Sequence, residues 1–345
     1  MQTRNDARAD LEAAERWFRR RGLPWFVDPV DERVRELIGR RQLWLLVVGV
    51  TVVAATAVWL TVRFLHDWST AILVGVVVAL ALLLAYAGGP LRVAVIARWA
   101  ARRVVKELNL LLPLVTRALP LLLLFMTFLF VNTEVWQVAS ALSRASLYGV
   151  GLLFSGLAVA FLLTRLPEEV RHVQQAAAGV EVARVCQGTP LEARARAIAE
   201  ARGTAGEPGL DPADEPLTRT QRANLLLVLL VTQALQVLLL AFTVFAFFIA
   251  FGLLTIRTSV VEAWIGHPPT PIDWDFHVFV LHLPVSLELY NVSVFLSAFA
   301  ALYFTVYAVS DATYRAQFFG ELSRGLEQAI GVREVYRTLS RGPRS

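Results

Sequence analysis

Ser69-Thr-Ala-Ile-Leu-Val-Gly-Val-Val-Val-Ala-Leu-Ala-Leu-Leu-Leu-Ala-Tyr-Ala-Gly88 runs for twenty residues without a charge. A helix of about 20 apolar residues spans the roughly 30 Å hydrocarbon core of a bilayer. Five further runs of this kind lie around it, at 43–62, 118–139, 146–166, 225–254 and 291–310. The chain therefore reads as an all-α polytopic membrane protein with six transmembrane helices. Its composition agrees. Of 345 residues, 56% are hydrophobic and 18% charged, against about 25% charged in an ordinary soluble domain. That excludes a disordered chain, a disulfide scaffold and a plain soluble enzyme. The fifth run is longer than a perpendicular span needs, so it is expected to tilt or to project beyond the bilayer at one end.

Between the runs, the charges sort by side. Basic residues number 10 in 1–42, 6 in 89–117, 8 in 165–224 and 6 in 311–345. The alternate loops carry one each, at Arg63, Arg144 and Arg257. The basic side is expected to be cytoplasmic, with both termini inside and the protein in a cell (inner) membrane. Counting the acids gives a net +8 on that side and −3 on the other, a separation hidden in the overall +5. Anionic lipid headgroups are the partner this implies. No segment has the basic stripe and stacking aromatics of a nucleic-acid module. The skew to Arg over Lys (Lys106 alone) reads as codon usage. A single cysteine, Cys186, allows no intrachain disulfide and no Cys-based zinc site. The first 40 residues lack a signal-peptide core, so the mature chain is expected to start at Met1.

The third and fifth runs begin alike. Val115-Thr-Arg-Ala-Leu-Pro-Leu-Leu-Leu-Leu-Phe-Met-Thr127 parallels Val231-Thr-Gln-Ala-Leu-Gln-Val-Leu-Leu-Leu-Ala-Phe-Thr243, and Glu134-Val-Trp136 matches Glu262-Ala-Trp264. The fourth and sixth runs match more weakly, through Leu147-Tyr148 with Leu289-Tyr290 and Ser155 with Ser297. This reads as a tandem repeat of a helical hairpin. At 100° per residue, Thr232, Gln236 and Thr243 share a stripe with Gln233 beside them; Thr116 and Thr127 are the aligned positions of the first copy. Such groups should face protein or water. They either line a polar pathway or make interhelical hydrogen bonds. Gly151 with Ser155, and Ser293 with Ser297, are small-xxx-small pairs that predict close helix packing. No run has an ionisable group near its middle, which argues against a proton pump with a midplane carboxylate.

The regions between spans divide the chain further. Residues 1–42 form amphipathic or interfacial helices, with Trp17, Phe18, Trp25 and Phe26 suited to headgroup level or to a small cytosolic core; 31–42 should lead as a helix into the first span. Residues 43–88, 118–166 and 225–310 are hairpins, the last with an external loop at 255–290. Residues 89–117 hold a basic amphipathic helix whose Arg92, Arg98, Arg102, Arg103 and Lys106 share one arc and suit lipid headgroups; its apolar face suits either the bilayer or the protein's own helices. Residues 167–224 are a helical loop, with a capping box Thr189-Pro-Leu-Glu192, a helix ending at Gly203 and a flexible linker at 204–218. Residues 311–345 continue the sixth helix, packed on 170–185 or on another subunit.

The external loop is the richest in chemistry. It holds His267, His277 and His282 with Glu262, Asp273 and Asp275. In an extended chain Asp273, Asp275 and His277 share a face, which admits a divalent-metal site or an interfacial cap; the spacing matches no defined zinc site. Pro268-Pro269-Thr-Pro271 is a stiff element that could hold the loop as a lid. No phosphate loop, nucleophile elbow or HExxH motif occurs. No cofactor is implied, and enzymatic activity is not the favoured reading. The leading function is a component of a permeation or transport complex. The alternatives are a membrane scaffold or assembly factor, and a membrane-embedded enzyme acting at the outer face.

Overall fold

The structure is a computed structural model that describes residues 2–27, 30, 40–88, 93–106, 123–177, 181–204, 216–272, 277–278, 281–282, 285–310 and 312–341. It is an all-α bundle. Among the described residues five helices are long and apolar enough to cross a membrane, or six if one bent pair is a single span.

Helix α1 (Gln2–Arg20) ends in a turn and a short 3-10 segment, Pro24–Phe26. Helices α2 (Arg40–Leu65) and α3 (Trp68–Gly88) form the first hairpin. Their turn places His66 at φ 54°, and Asp67 caps α3 by accepting from the Thr70 N–H at 3.3 Å. The hairpin is close-packed at Gly75, where a Cβ would stand 2.4 Å from Val58 Cγ2. Helix α2 packs on α3, and large apolar side chains on it, among them Trp44, Val52, Trp59 and Phe64, stay exposed. Of the lead-in at 31–42, residues 31–39 lie outside the described residues.

Helix α4 (Val93–Lys106) follows. The third span departs from a continuous helix. Its described part runs as α5 (Leu123–Phe130), breaks, and resumes as α6 (Thr133–Ala141), turned by 73°. The cause is local. Asn132 takes an extended backbone and its side chain accepts from the Glu134 N–H at 2.7 Å, a side-chain N-cap. Trp136, 0% exposed, donates from Nε1 to the Phe130 carbonyl at 2.6 Å, which satisfies an acceptor freed by the bend.

Helix α7 (Arg144–Ala177) is one rod of 34 residues that runs past Pro167, leading to the short α8 (Val182–Val185) and to α9 (Glu192–Thr204). The capping box at Thr189 takes another form. Thr189 Oγ1 donates to the Cys186 carbonyl, and Glu192 reaches back to the Gly188 N–H at 2.8 Å. A reciprocal box forms elsewhere, between Thr218 and Gln221. It opens α10 (Arg219–Thr255), whose 37 residues reach about 55 Å. That exceeds a bilayer core, and the excess lies at the N-terminal end, where Thr220, Gln221 and Asn224 are buried. A helix of that length must tilt in a bilayer or project beyond it. A short helix, α11 (Thr258–Ile265), ends it at Gly266 in the left-handed conformation.

Beyond α11, the Pro-rich run is tied to the next helix: the Ile272 N–H donates to Val285 O and the Leu287 N–H to Thr270 O. Strands β1 (His277–Val278) and β2 (Leu281–His282) pair antiparallel. Helix α12 (Leu287–Ser310) completes the bundle and α13 (Ala312–Arg341) extends from its far end.

Helix α12 is the central rod, packed on α7 and on α10. At the end carrying α1, α4 and α13, a second layer forms. Helix α4 lays Ile96 and Ala100, both 0% exposed, toward α10. Helix α13 packs on α7, α8 and α1, with Gly331 against Val185. Phe18, Leu23, Phe26, Leu225, Ile330 and Tyr336 belong to the same continuous core as the spans.

Candidate functional site

The polar stripe comes first. Thr127, Thr232 and Thr243 each donate to the carbonyl four residues back, on Leu123, Val228 and Leu239, at 2.6–2.9 Å. This i−4 back-bonding satisfies a hydroxyl inside its own helix. Thr232 (4% exposed) and Gln233 (0%) are packed inside the protein, whereas Thr243 faces outward. The Gln236 Oε1 is buried with no hydrogen-bond partner among the described residues. Thr116 lies outside them.

The small-residue pairs divide. Ser293 (0%) and Ser297 (7%) are buried on α12. A Cβ at Gly151 would meet nothing within 4 Å, and the exposed Ser155 donates to the Gly151 carbonyl. The close approaches fall at Gly75 and at Gly252, where a Cβ would stand 2.4 Å from Leu289 Cδ1 and 3.1 Å from Phe130 Cζ. Gly252 has Ile256 at the i+4 position, so the spacing rule passes over it, whereas Gly75 has Ala71 and Ala79 four residues to either side. Beside α7, an apolar cleft of about 390 Å³ opens between Ile72, Val76, Ala145, Gly149, Leu152 and Leu153.

At the acidic end, residues matched by the internal similarity meet one another. Trp136 and Trp264 have centroids 5.6 Å apart, and Gln137 Nε2 donates to the Trp264 carbonyl at 3.0 Å. The hydroxyls of Tyr148 and Tyr290 are 3.1 Å apart. Phe130 stacks on Phe248 at 4.8 Å beneath them. Asn291 Nδ2 donates across to the Ala139 carbonyl at 3.3 Å. Glu288, 3% exposed, accepts the Thr270 N–H on both oxygens and so holds the Pro-rich run against α12. For the metal set, Asp273 and Asp275 lie outside the described residues. The β1–β2 register puts the His277 backbone opposite His282. Among the described residues no three His, Cys, Asp or Glu side chains converge.

At the basic end, the headgroup arginines are seen in part. Arg92 lies outside the described residues. Arg98 and Arg102 are exposed, Arg103 is half-buried, and α4 carries Lys106 at its end. The buried Ile96 and Ala100 mean that the apolar face of α4 is taken up by protein. Phe18, Trp25 and Phe26 are likewise enclosed, 3% exposed or less, so these three form a protein core and do not sit among headgroups.

This end also holds contacts that sequence patterns did not give. Asn224, 0% exposed, accepts from the Trp25 N–H at 3.0 Å and donates to the Gly22 carbonyl at 3.2 Å. Arg194 bonds Asp10 at 2.6 Å, joining α9 to α1. Arg333, 0% exposed, donates to the Pro216 carbonyl at 3.2 Å and lies 3.9 Å from Glu334. Arg21 and Arg103 approach each other. Burial first, and the Arg103 charge second, push the Arg21 guanidinium below its ordinary value. Burial pushes the Cys186 thiol up to about 12, with the Thr189 hydrogen bond opposing and Glu192 adding to the rise. The sequence signal for the arginine pair was the spacing Trp17…Arg21 and Trp99…Arg103, one helical turn each.

No protein-family model, curated protein or solved structure matches the chain.

Proposed function

We propose that the protein is a multi-pass membrane scaffold or assembly factor. The observation that carries this reading is the packing of the expected pathway. Thr232 and Gln233 are enclosed by protein, and the three described threonines of the stripe bond their own helices. The second support is the basic-end layer, which α10 and α13 join to the spans as one core. A layer built that way presents a fixed surface. By the positive-inside rule that surface is cytoplasmic, in an inner membrane with both termini inside. The arginines of α4, at 92, 98, 102 and 103 with Lys106, then lie beside anionic headgroups. The hairpins at 118–166 and 225–310 are, in this reading, duplicated units whose matched residues meet at Trp136–Trp264 and Tyr148–Tyr290. Parallel repeats related by an axis along the membrane normal bring equivalent residues together in this way.

One observation favours the transport-complex reading. The buried Gln236 Oε1 lacks a hydrogen-bond partner among the described residues, and an amide oxygen in that state can accept from a passing polar solute. Flux through vesicles carrying the purified protein, with Gln236→Leu alongside, separates the two. The scaffold reading expects wild-type flux equal to that of empty vesicles and a Gln236→Leu variant at least as stable, because an unsatisfied polar group is removed. Protein-dependent flux that Gln236→Leu abolishes would establish the transport reading instead.

A further inference from the structure

We propose that Arg21 and Arg103 form a binding site for a phosphate group over Gly325 of α13. A Cβ at Gly325 would lie 3.6 Å from Arg21 Nη1 and 3.7 Å from Arg103 Nη1. Two guanidiniums thus reach one spot, one from the turn after α1 and one from α4, above a position with no side chain. Paired guanidinium forks fit phosphate oxygens.

Both arginines are held in place. Arg21 lies over the Trp17 ring at 4.8 Å and Arg103 over the Trp99 ring at 5.4 Å. Each tryptophan is one turn before its arginine, so the aromatic face sets where the guanidinium points. Arg21 also donates to Gln328 Oε1 at 3.4 Å, on the same helix as Gly325. Among the described residues Arg21 has no carboxylate partner. The two helices are themselves in register. Gly22 has φ 74°, and a Cβ there would meet the Trp99 ring at 3.0 Å, so Trp99 lies flush on the turn that carries Arg21. Arg21 is half-buried, which strengthens its attraction to an anion relative to an exposed arginine. The site does not depend on whether the chain is a scaffold or a transport component.

The phosphate could be free in solution or carried by a lipid. The test uses the full chain in phosphatidylcholine nanodiscs, titrated calorimetrically with inorganic phosphate. A second arm measures retention of phosphatidic acid against phosphatidylcholine in mixed vesicles. Phosphate affinity without lipid preference assigns a soluble phosphate; phosphatidic acid retention without it assigns a headgroup. Either supports the site, provided the variants agree. Arg21→Gln and Arg103→Gln should each lower affinity about tenfold, the loss of one charge-assisted fork. Gly325→Val should do the same while leaving both charges in place, which keeps the test open if an arginine variant fails to fold. Arg16→Gln, an exposed arginine of α1, should stay within about twofold, as expected for a screened surface charge. Absence of binding in both arms overturns the proposal, as does equal loss from Arg16→Gln and Arg21→Gln.

Discussion

Asn224 shows how much of the N-terminal layer hangs on one side chain. It closes the backbone of the Gly22–Trp25 turn against α10 with one accepted and one donated bond, fully buried. Asn224→Leu keeps the volume but leaves two buried backbone groups unpaired, at a cost of about 2–3 kcal/mol. Thermal unfolding should show the loss, and limited proteolysis should cut first between α1 and α2. A leucine variant as stable as wild type would mean that the turn is held by its aromatics alone. Cys186 tests the same layer from the other side. Its thiol is pushed up to about 12 in the folded chain, against about 8.5 when unfolded. The unfolded state therefore binds fewer protons above pH 8.5, and this group's contribution to stability falls as pH rises from there toward 12. Cys186→Ala should flatten that part of the alkaline decline, and maleimide should react with wild type only as the layer opens. The bonding of Asn224 and the burial of Cys186 were not legible in the sequence. Their roles come from partners about 200 and 145 positions away, at Trp25 and at Gly331, and no local pattern encodes such pairings.

At the scale of elements, apolar run length was decisive wherever no cap interrupted it. The expected spans at 43–62, 69–88, 146–166, 225–254 and 291–310 each fall within a helix that is long and apolar enough to cross. The run at 118–139 does not follow, because Asn132-Thr-Glu134 is an N-cap signature set inside an apolar stretch. Hydropathy averages over it, while the backbone does not. The same applies after Thr255, where α11 starts a new helix at Thr258. The bend is stabilised by two bonds that can be removed separately. Asn132→Ala should cost about 1 kcal/mol, the usual loss of a cap. Trp136→Phe keeps the ring against Phe130 and Trp264 but orphans the Phe130 carbonyl, at about 1–3 kcal/mol. If the bend is a property of the cap, the two losses add by less than their sum in the double variant, since both groups serve one break. Full additivity in thermal melts would place Trp136 outside it.

For the whole molecule, the separation of charge and the folding of the layer point the same way. The spans carry their excess length toward the end with the arginines: α10 enters it with its first residues and α7 with its last. The loop charges expected on the two sides, a net +8 and −3, lead by the positive-inside rule to the proposed orientation. Hydropathy made the apolar helices legible before any helix was placed. The meeting of α4 with α10, and of α13 with α1, was not legible, because amphipathic faces do not name their partners. The orientation is tested by cysteine labelling in a Cys186→Ala background. A cysteine at Thr270, on the Pro-rich run held by Glu288, should react with an impermeant maleimide added outside intact cells. One at Gly203, near the end of α9, should react only after permeabilisation. Both positions are exposed or half-exposed in the folded chain, so a difference in labelling reports sidedness and not burial. The reverse pattern would invert the protein in its membrane, and would place the α4 arginines and the Arg21–Arg103 pair on the outer face.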